Sequence, residues 1–340
     1  MKWPVAVDLF SGIGGLSLGL RRARFRVAAA VELDDLAAET YRRNFPSVAL
    51  LQQDISQVQG TALLKAANVR RGELDLLAGC PPCQGFSTIR TRNARPSVED
   101  SRNDLVFEFL RLVRETYPRT VLMENVPRLS EDSRYRKLRR ELEGLGFDVW
   151  TRLLDAADHG VPQRRRRLIM VASRIGPVDS PEPASQRLTV RVALRSLKAA
   201  GCSNDPAHDH GEQRSEQVLR IIKAVPVDGG SRAGLPSELQ LACHQQADGF
   251  FDVYGRMAWD GPSPTITGGC INPSKGRFLH PVEDRAITVR EASVLQGFPS
   301  EYVINMRRGK YAAAELVGNA LPPEFGRRQA LPIRRALEGC

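Results

Sequence analysis

The residues best suited to covalent chemistry in this 340-residue chain lie in Gly79-Cys80-Pro81-Pro82-Cys83-Gln84-Gly85-Phe86-Ser87. Two prolines forbid helix and fix an extended turn, and Gly85 permits a bend after it. Cys83 then stands at the tip of a stiff loop, where a thiolate can act as a nucleophile. The Cys-x-x-Cys spacing also admits a redox pair or half of a zinc site. Zinc lacks a second ligand pair, because Cys202, Cys243, Cys270 and Cys340 are scattered. A redox pair normally opens a helix, against which the prolines argue. A buried, inert cysteine is the remaining reading of the loop by itself. Two more clusters carry chemistry. Glu124 closes an apolar stretch, where a carboxyl can move a proton or be a plain surface acid. Gln163-Arg164-Arg165-Arg166-Arg167 is either an anion-binding array or a solvated charge run.

Elements that would position these residues can be read around them. Val5 to Phe10 is a buried strand that runs into Ser11-Gly12-Ile13-Gly14-Gly15 and then a helix with Leu16, Leu20 and Ala23 on one face. Gly12-x-Gly14-x-x-Ser17 is a nucleotide-binding turn, with Ser where the dinucleotide pattern has Gly or Ala. A second strand, Arg26 to Leu33, carries Glu32, an acid placed to accept both hydroxyls of an adenosine ribose. NAD and S-adenosylmethionine share that ribose, and a tight turn plus a surface acid would look the same. Helices over Ala37–Phe45, Leu63–Val69 and Ser133–Leu145 alternate with strands at Val48–Leu51, Leu74–Ala78 and Thr120–Met123. Another helix follows Asn103, its expected cap, with Leu105, Val106, Phe109 and Leu110 on one face. Strands Asp148–Asp155 and Arg167–Ala172 flank the arginine run. The alternation predicts a doubly wound α/β sheet with a hairpin at its edge.

After Arg174 the texture changes. Pro177, Pro181 and Pro183 read as a linker, and about a hundred residues rich in Gly and Pro follow, with weak periodicity. His208-Asp209-His210 reads as solvated loop rather than metal ligands, since no ligand spacing recurs. Helical spacing returns at Val289–Leu295 and Ala312–Val317. The composition, 42% hydrophobic and 26% charged, suits a folded protein. No apolar run approaches the ~18 residues of a membrane span. The N-terminus meets Asp8 too early for a secretory signal. Six unpatterned cysteines fit a reducing cytoplasm. A net charge of +10 suits a polyanionic partner such as nucleic acid.

Taken in order, Asp8-Leu9-Phe10-Ser11-Gly12-Ile13-Gly14-Gly15, Pro82-Cys83-Gln84, Glu124-Asn125-Val126, Gln163 to Arg167, Arg290-Glu291-Ala292 and Gly318-Asn319 resemble the motif series of the bacterial DNA (cytosine-5)-methyltransferases. The match covers the first ~175 residues and the last ~55, and a co-ordered set is far more specific than any single motif. The resemblance implies an S-adenosylmethionine-dependent methyltransferase (Rossmann-like) sheet plus a smaller, loop-rich target-recognition domain. Residues 1–176 and 300–340 would form the catalytic and cofactor-binding domain. Residues 177–299 would form the small domain, with target recognition over about 177–262.

The resemblance also assigns roles. Cys83, Glu124, Arg165, Arg167 and Gln84 would be catalytic. Phe10, Ser11, Gly12, Gly14, Gly15, Glu32, Leu33, Asp54, Ile55, Pro82, Asn319 and Ala320 would surround S-adenosyl-L-methionine. Ser87, Gln163, Arg232 and Thr265 would touch double-stranded DNA. No metal is implied. The enzyme would act as a cytoplasmic monomer on DNA, in a restriction-modification system with a cognate restriction endonuclease as functional partner, or as an orphan modification enzyme.

The chemistry makes matching demands. Carbon 5 of cytosine is a poor nucleophile until a thiolate adds to carbon 6 and converts it to an enamine carbon. Cysteine suits this because its free pKa of ~8.5 leaves some thiolate near neutral pH. Addition needs proton donation or a strong hydrogen bond at ring N3, a task for Glu124. Arg165 and Arg167 alternate on an extended segment, and one of them would donate to the cytosine O2 oxygen. The base lies inside a duplex and must be flipped out. Three alternatives remain at this point: an RNA cytosine-5 methyltransferase of the same fold, a nicotinamide-dependent oxidoreductase, and a non-catalytic DNA-binding protein.

Overall fold

The computed structural model describes residues 3–82, 104–211, 213–241 and 252–339. Cys83, Gln84 and Ser87 lie outside the described residues, as do Asn103 and Cys243. The chain divides into two compact units. One comprises Met1–His159, Arg166–Pro183 and Leu321–Cys340, and the other Gly160–Arg165 and Ala184–Ala320. Residues 300–320 therefore group with the second unit, not with the catalytic domain that the resemblance implies for them.

The first unit is built on strands β1 (Val5–Leu9), β2 (Arg26–Val31), β3 (Ala49–Leu51), β4 (Leu76–Gly79), β5 (Thr120–Asn125), β6 (Asp148–Asp155) and β7 (Arg166–Ser173). They form a seven-stranded sheet in the order β3-β2-β1-β4-β5-β7-β6. The first five strands run parallel. β7 is antiparallel to both β5 and β6, which makes the edge hairpin. Parallel strands covered on both faces read as unbroken small and apolar runs, and β1, β4 and β5 are buried along their whole length. The winding reverses between β1 and β4, so the crevice past their carboxyl ends is the place such sheets bind ligands.

Helices α1 (Gly15–Arg22), α2 (Asp35–Asn44), α3 (Gly60–Ala67), α4 (Leu105–Thr116) and α5 (Ser133–Gly144) connect the strands. Leu63, Phe109, Leu110, Leu138 and Leu142 pack with Val5, Val7, Leu9, Leu77, Val121 and Met123 in one buried cluster. Strand alternation turns Asp8 away from that cluster. The Asp34 carboxylate caps α2 by accepting from the Ala37 N–H. α4 follows Asp104, whose side chain makes no capping hydrogen bond. A C-terminal helix, Pro323–Glu338, packs along α1 and so returns the chain end to the first unit.

Among the described residues the second unit holds no strand, only helices, turns and isolated bridges. Its helices are α6 (Val190–Leu194), α7 (Glu216–Ala224), α8 (Val289–Leu295) and α9 (Gly309–Asn319), which makes the C-terminal helix α10. Ile221, Ile222, Val225, Val253, Tyr254 and Leu279 form a small core. The fully buried Arg256 guanidinium donates to the carbonyls of Ile222, Val225, His280 and Glu283, doing for this loop-rich core what a strand ladder does for a sheet. α8 begins with a capping box between Thr288 and Glu291, as its Thr-x-x-Glu spacing demands. It packs on α9. That packing, together with the Gln296 amide donating to the carbonyls of Val317 and Ala320, explains why 300–320 belong here.

The expectation of solvated loop histidines fails at His208. His208 is buried, not solvated: its Nδ1 meets the Thr288 hydroxyl at 2.7 Å and its Nε2 the Lys198 carbonyl at 2.8 Å. It is a tertiary strut under the cap of α8. Among the described residues no three His, Cys, Asp or Glu side chains are grouped to hold a metal ion. No helix among them is long and apolar enough to cross a membrane.

Candidate active site

The first unit gathers its candidate residues at the carboxyl ends of β1, β2, β4 and β5. Between β1 and α1 the backbone turns sharply. Phe10 takes φ 56° and Gly12 φ 53°, both in the left-handed region, and Gly14 caps α1 with φ 92°. A phenylalanine held there is strained, as residues at ligand sites often are. The Gly12 N–H donates to Glu32 Oε2 at 2.7 Å. Glu32 Oε1 accepts from the N–H groups of Leu33 and Asp34. One carboxylate thus joins the β1–α1 and β2–α2 turns. Burial pushes the Glu32 pKa upward, against the pull of those three N–H groups.

These groups suit the adenosyl part of a nucleoside cofactor. Glu32 keeps acceptor capacity beyond its three backbone bonds, and the space where a Gly12 side chain would stand is open to 4 Å. Leu33 exposes 63% of its surface beside this turn, an apolar face left uncovered. Asp54 is exposed and caps the short turn Ile55–Gln57, with its pKa held down by the Ser56 N–H. Ile55 is buried beneath it.

The approach to Cys83 is described as far as Pro82. Gly79 and Cys80 leave β4, and the Cys80 N–H donates to the Leu9 carbonyl. The side-chain amide of Asn125, at the end of β5, donates to the Pro81 carbonyl at 2.9 Å. Asn125 Oδ1 in turn accepts from the Val126 N–H. The motif pattern singles out no role for Asn125, although it stands beside Glu124. Glu124, 9% exposed, pairs with Arg167 Nε at 2.8 Å. The antiparallel register that sets Glu124 opposite Ile169 brings the start of β7 alongside the carboxylate.

In the arginine run the exposed Arg164 and Arg166 alternate with the buried Gln163 and Arg165. Arg165 lies in the second unit, where it donates to the carbonyls of Ile266 and Gly318 at 3.0 Å each. Gly318 is required there, since a Cβ would come within 2.1 Å of the Thr267 backbone. Gln163, expected to touch DNA, is fully buried. Its amide donates to Leu295 O and Gln296 Oε1 and accepts from the Ile266 N–H. It is a tie within the second unit, and its partners could not be read from sequence because they lie more than a hundred residues away. Thr265 is half-buried and donates to the Arg164 carbonyl. Arg232 is half-buried in the turn Arg232–Gly234. Asn319 and Ala320 also belong to the second unit.

The model of the C-5 cytosine-specific DNA methylase family matches residues 5–333. The chain belongs to that family. It is a DNA (cytosine-5)-methyltransferase, and S-adenosyl-L-methionine is the family's cofactor. The Type II methylase M.HgiDII of Herpetosiphon aurantiacus is 35% identical over 351 residues, covering 98% of this chain and 96% of the relative. The Type II methyltransferase M1.HphI of Haemophilus parahaemolyticus is 36% identical, covering 93% and 83%. A solved structure of a putative DNA modification methyltransferase encoded within an E. coli prophage superposes with a TM-score of 0.70 at 26% identity, covering 98% and 99%. The S. pombe Dnmt2 methyltransferase, at 19% identity and a TM-score of 0.62 over 99% of each chain, shares the fold.

Proposed function

We propose that this methyltransferase acts on a cytosine flipped out of duplex DNA, through a covalent bond between Cys83 and carbon 6. The observation that carries the reading is the Glu124–Arg167 pair beside Asn125, which holds the Pro81 carbonyl two residues before Cys83. The Cys83 thiolate attacks carbon 6, the ring's 5,6 double-bond electrons shift toward N3, and Glu124 supplies the proton or hydrogen bond received there. Carbon 5 becomes nucleophilic. S-adenosyl-L-methionine, when bound by Phe10, Ser11, Gly12, Gly14, Gly15, Glu32, Leu33, Asp54, Ile55 and Pro82, supplies an electrophilic methyl group. Once carbon 5 carries the methyl group, its proton passes to a base such as a solvent water, the 5,6 double bond re-forms, the Cys83 thiolate leaves and the N3 proton returns to Glu124. Gln84 and Ser87 keep the catalytic and DNA-contacting roles that the resemblance implies for them.

Arg167 is the arginine of this reading that serves the cytosine O2 oxygen, since it already stands at Glu124. Arg165, with two carbonyls on its guanidinium, serves as a strut. Residues 177–262 select the DNA sequence, Arg232 among them and Thr265 just beyond serve as DNA contacts, and Asn319 and Ala320 keep the cofactor role that the resemblance implies. The Type II relatives support a restriction-modification setting with a cognate endonuclease.

Duplex DNA carrying 5-fluorocytosine at the recognised site tests the covalent step. Fluorine cannot leave as a cation, so the protein should stay joined to the DNA through denaturing electrophoresis, and only with S-adenosylmethionine present. Cys83→Ala should abolish both adduct and methylation, and Cys80→Ala should retain them. An adduct that survives in Cys83→Ala but is lost in Cys80→Ala would show the nucleophile to be the other cysteine.

A further inference from the structure

One polar cluster of the first unit takes no part in the chemistry above. Asp8 sits on β1 with no exposed surface, flanked by Ala30 of β2 and Ala78 of β4. Its Oδ2 accepts from the Ser17 hydroxyl at 2.6 Å. Its Oδ1 has no hydrogen-bond partner among the described residues. Ser17 Oγ also meets the Tyr41 hydroxyl at 2.7 Å. Serine has a single hydroxyl proton, which Ser17 donates to Asp8, so the second bond runs from Tyr41 to Ser17. All three side chains are buried, and they come from β1, α1 and α2 in turn.

The Ser17–Asp8 bond closes the segment that contains Phe10, Gly12 and Gly14 in their left-handed conformations. The Gly12–Glu32 bond holds the same segment from the β2 side, and Tyr41 ties in the helix that follows Glu32. Burying a carboxyl costs free energy that an apolar side chain would not incur, so the cluster is a poor device for mere stability. Burial pushes the Asp8 pKa up to about 7, Ser17 draws it down, and the Glu32 charge adds to the rise. The other groups facing the cluster are the Tyr41 phenol and, beyond it, Arg21.

We propose that Asp8, acting through Ser17 and Tyr41, is a positioning residue that sets the shape of the Phe10–Gly14 cofactor loop. The inference rests on the assignment of that loop to S-adenosylmethionine. A carboxylate accepts more strongly than a neutral acid, so the clasp tightens as Asp8 ionises, and cofactor affinity rises with pH through about 7.

The test is calorimetric titration of S-adenosylmethionine and of its demethylated product into the full chain at pH 6 and pH 8, with thermal unfolding of each variant alongside. The wild type should bind several-fold more tightly at pH 8. Asp8→Asn keeps an acceptor for Ser17 but cannot ionise; it should bind roughly 3–10-fold more weakly at pH 8 and lose most of the gain. Ser17→Ala and Tyr41→Phe each delete one hydroxyl and should weaken binding about 2–10-fold, which keeps the test alive if Asp8→Asn does not fold. Burial raises the Glu32 pKa in every variant alike, so the difference between variant and wild type is the readout. Variants with lowered melting temperature but wild-type affinity and pH profile would overturn the proposal and leave the cluster a fold element. A wild type that binds neither ligand would overturn the cofactor assignment itself.

Discussion

The Asn125 side chain donates to the Pro81 carbonyl across 2.9 Å, from a residue 44 positions further along the chain. Proline at 81 and 82 stiffens the segment, but stiffness alone leaves its direction open. The buried amide supplies the direction, by fixing the loop after β4 to the end of β5. Because Glu124 is the preceding residue, one strand end orients both the carboxyl and the approach to the thiol.

Asn125→Ala should therefore slow methyl transfer at least tenfold while leaving cofactor binding near normal. It leaves the Pro81 carbonyl without its partner, at a stability cost of about 1–3 kcal/mol. Single-turnover methylation and urea unfolding measure the two effects separately. An unchanged single-turnover rate would mean that the loop is held by other contacts.

Glu124→Gln should bind DNA normally and lose about 10²–10⁴-fold in rate, the range typical of a general acid. Arg167→Ala leaves Glu124 buried without its ion-pair partner. It should lower both the rate and the melting temperature, because breaking a buried pair strands a charge. Arg167→Lys should recover part of the stability but little of the rate, since an ammonium lacks the planar fork. Full activity in Arg167→Lys would reduce the guanidinium to a plain counter-charge.

Asp8 gives stability a pH dependence of definite sign. Its folded pKa is raised to about 7 from 3.8, so the folded state binds the extra proton between about pH 4 and pH 7. Stability from this group is present at the acidic end and is lost as pH rises through 7, by a few kcal/mol in order of magnitude. Urea unfolding at pH 5.5 and pH 8 should show the wild type losing more stability across that interval than Asp8→Asn. Equal losses would place the Asp8 pKa near its ordinary value.

Exchanging residues 177–262 for the corresponding stretch of another family member should move the methylated sequence with it. Mapping 5-methylcytosine on a plasmid library in cells reads the outcome directly. Specificity that stays with the first unit would refute the division of labour. Arg165 and Gln163 are tied to Ile266, just beyond that stretch, so the exchange should keep 263–266 native.

Local sequence determined most of the first unit. Apolar runs of five or six residues, glycine turns and amphipathic helices are short-range signals, and the expected edge hairpin stands as β6 and β7. The ordered motifs were enough to point to the family, and they place Glu32 and Glu124 at strand ends. Tertiary structure decided what those motifs touch. Gln163 and Arg165 look alike in sequence to their exposed neighbours, yet their partners lie 101 to 153 residues away. The same holds for His208, whose burial depends on Thr288, 80 residues on. Ser17 read as a defect in a glycine pattern, and only the packing of β1, α1 and α2 makes it the middle of a hydrogen-bonded chain. Local propensity is set by neighbours along the chain, whereas the partner of a buried polar group is set by which distant segments the fold brings within about 3 Å.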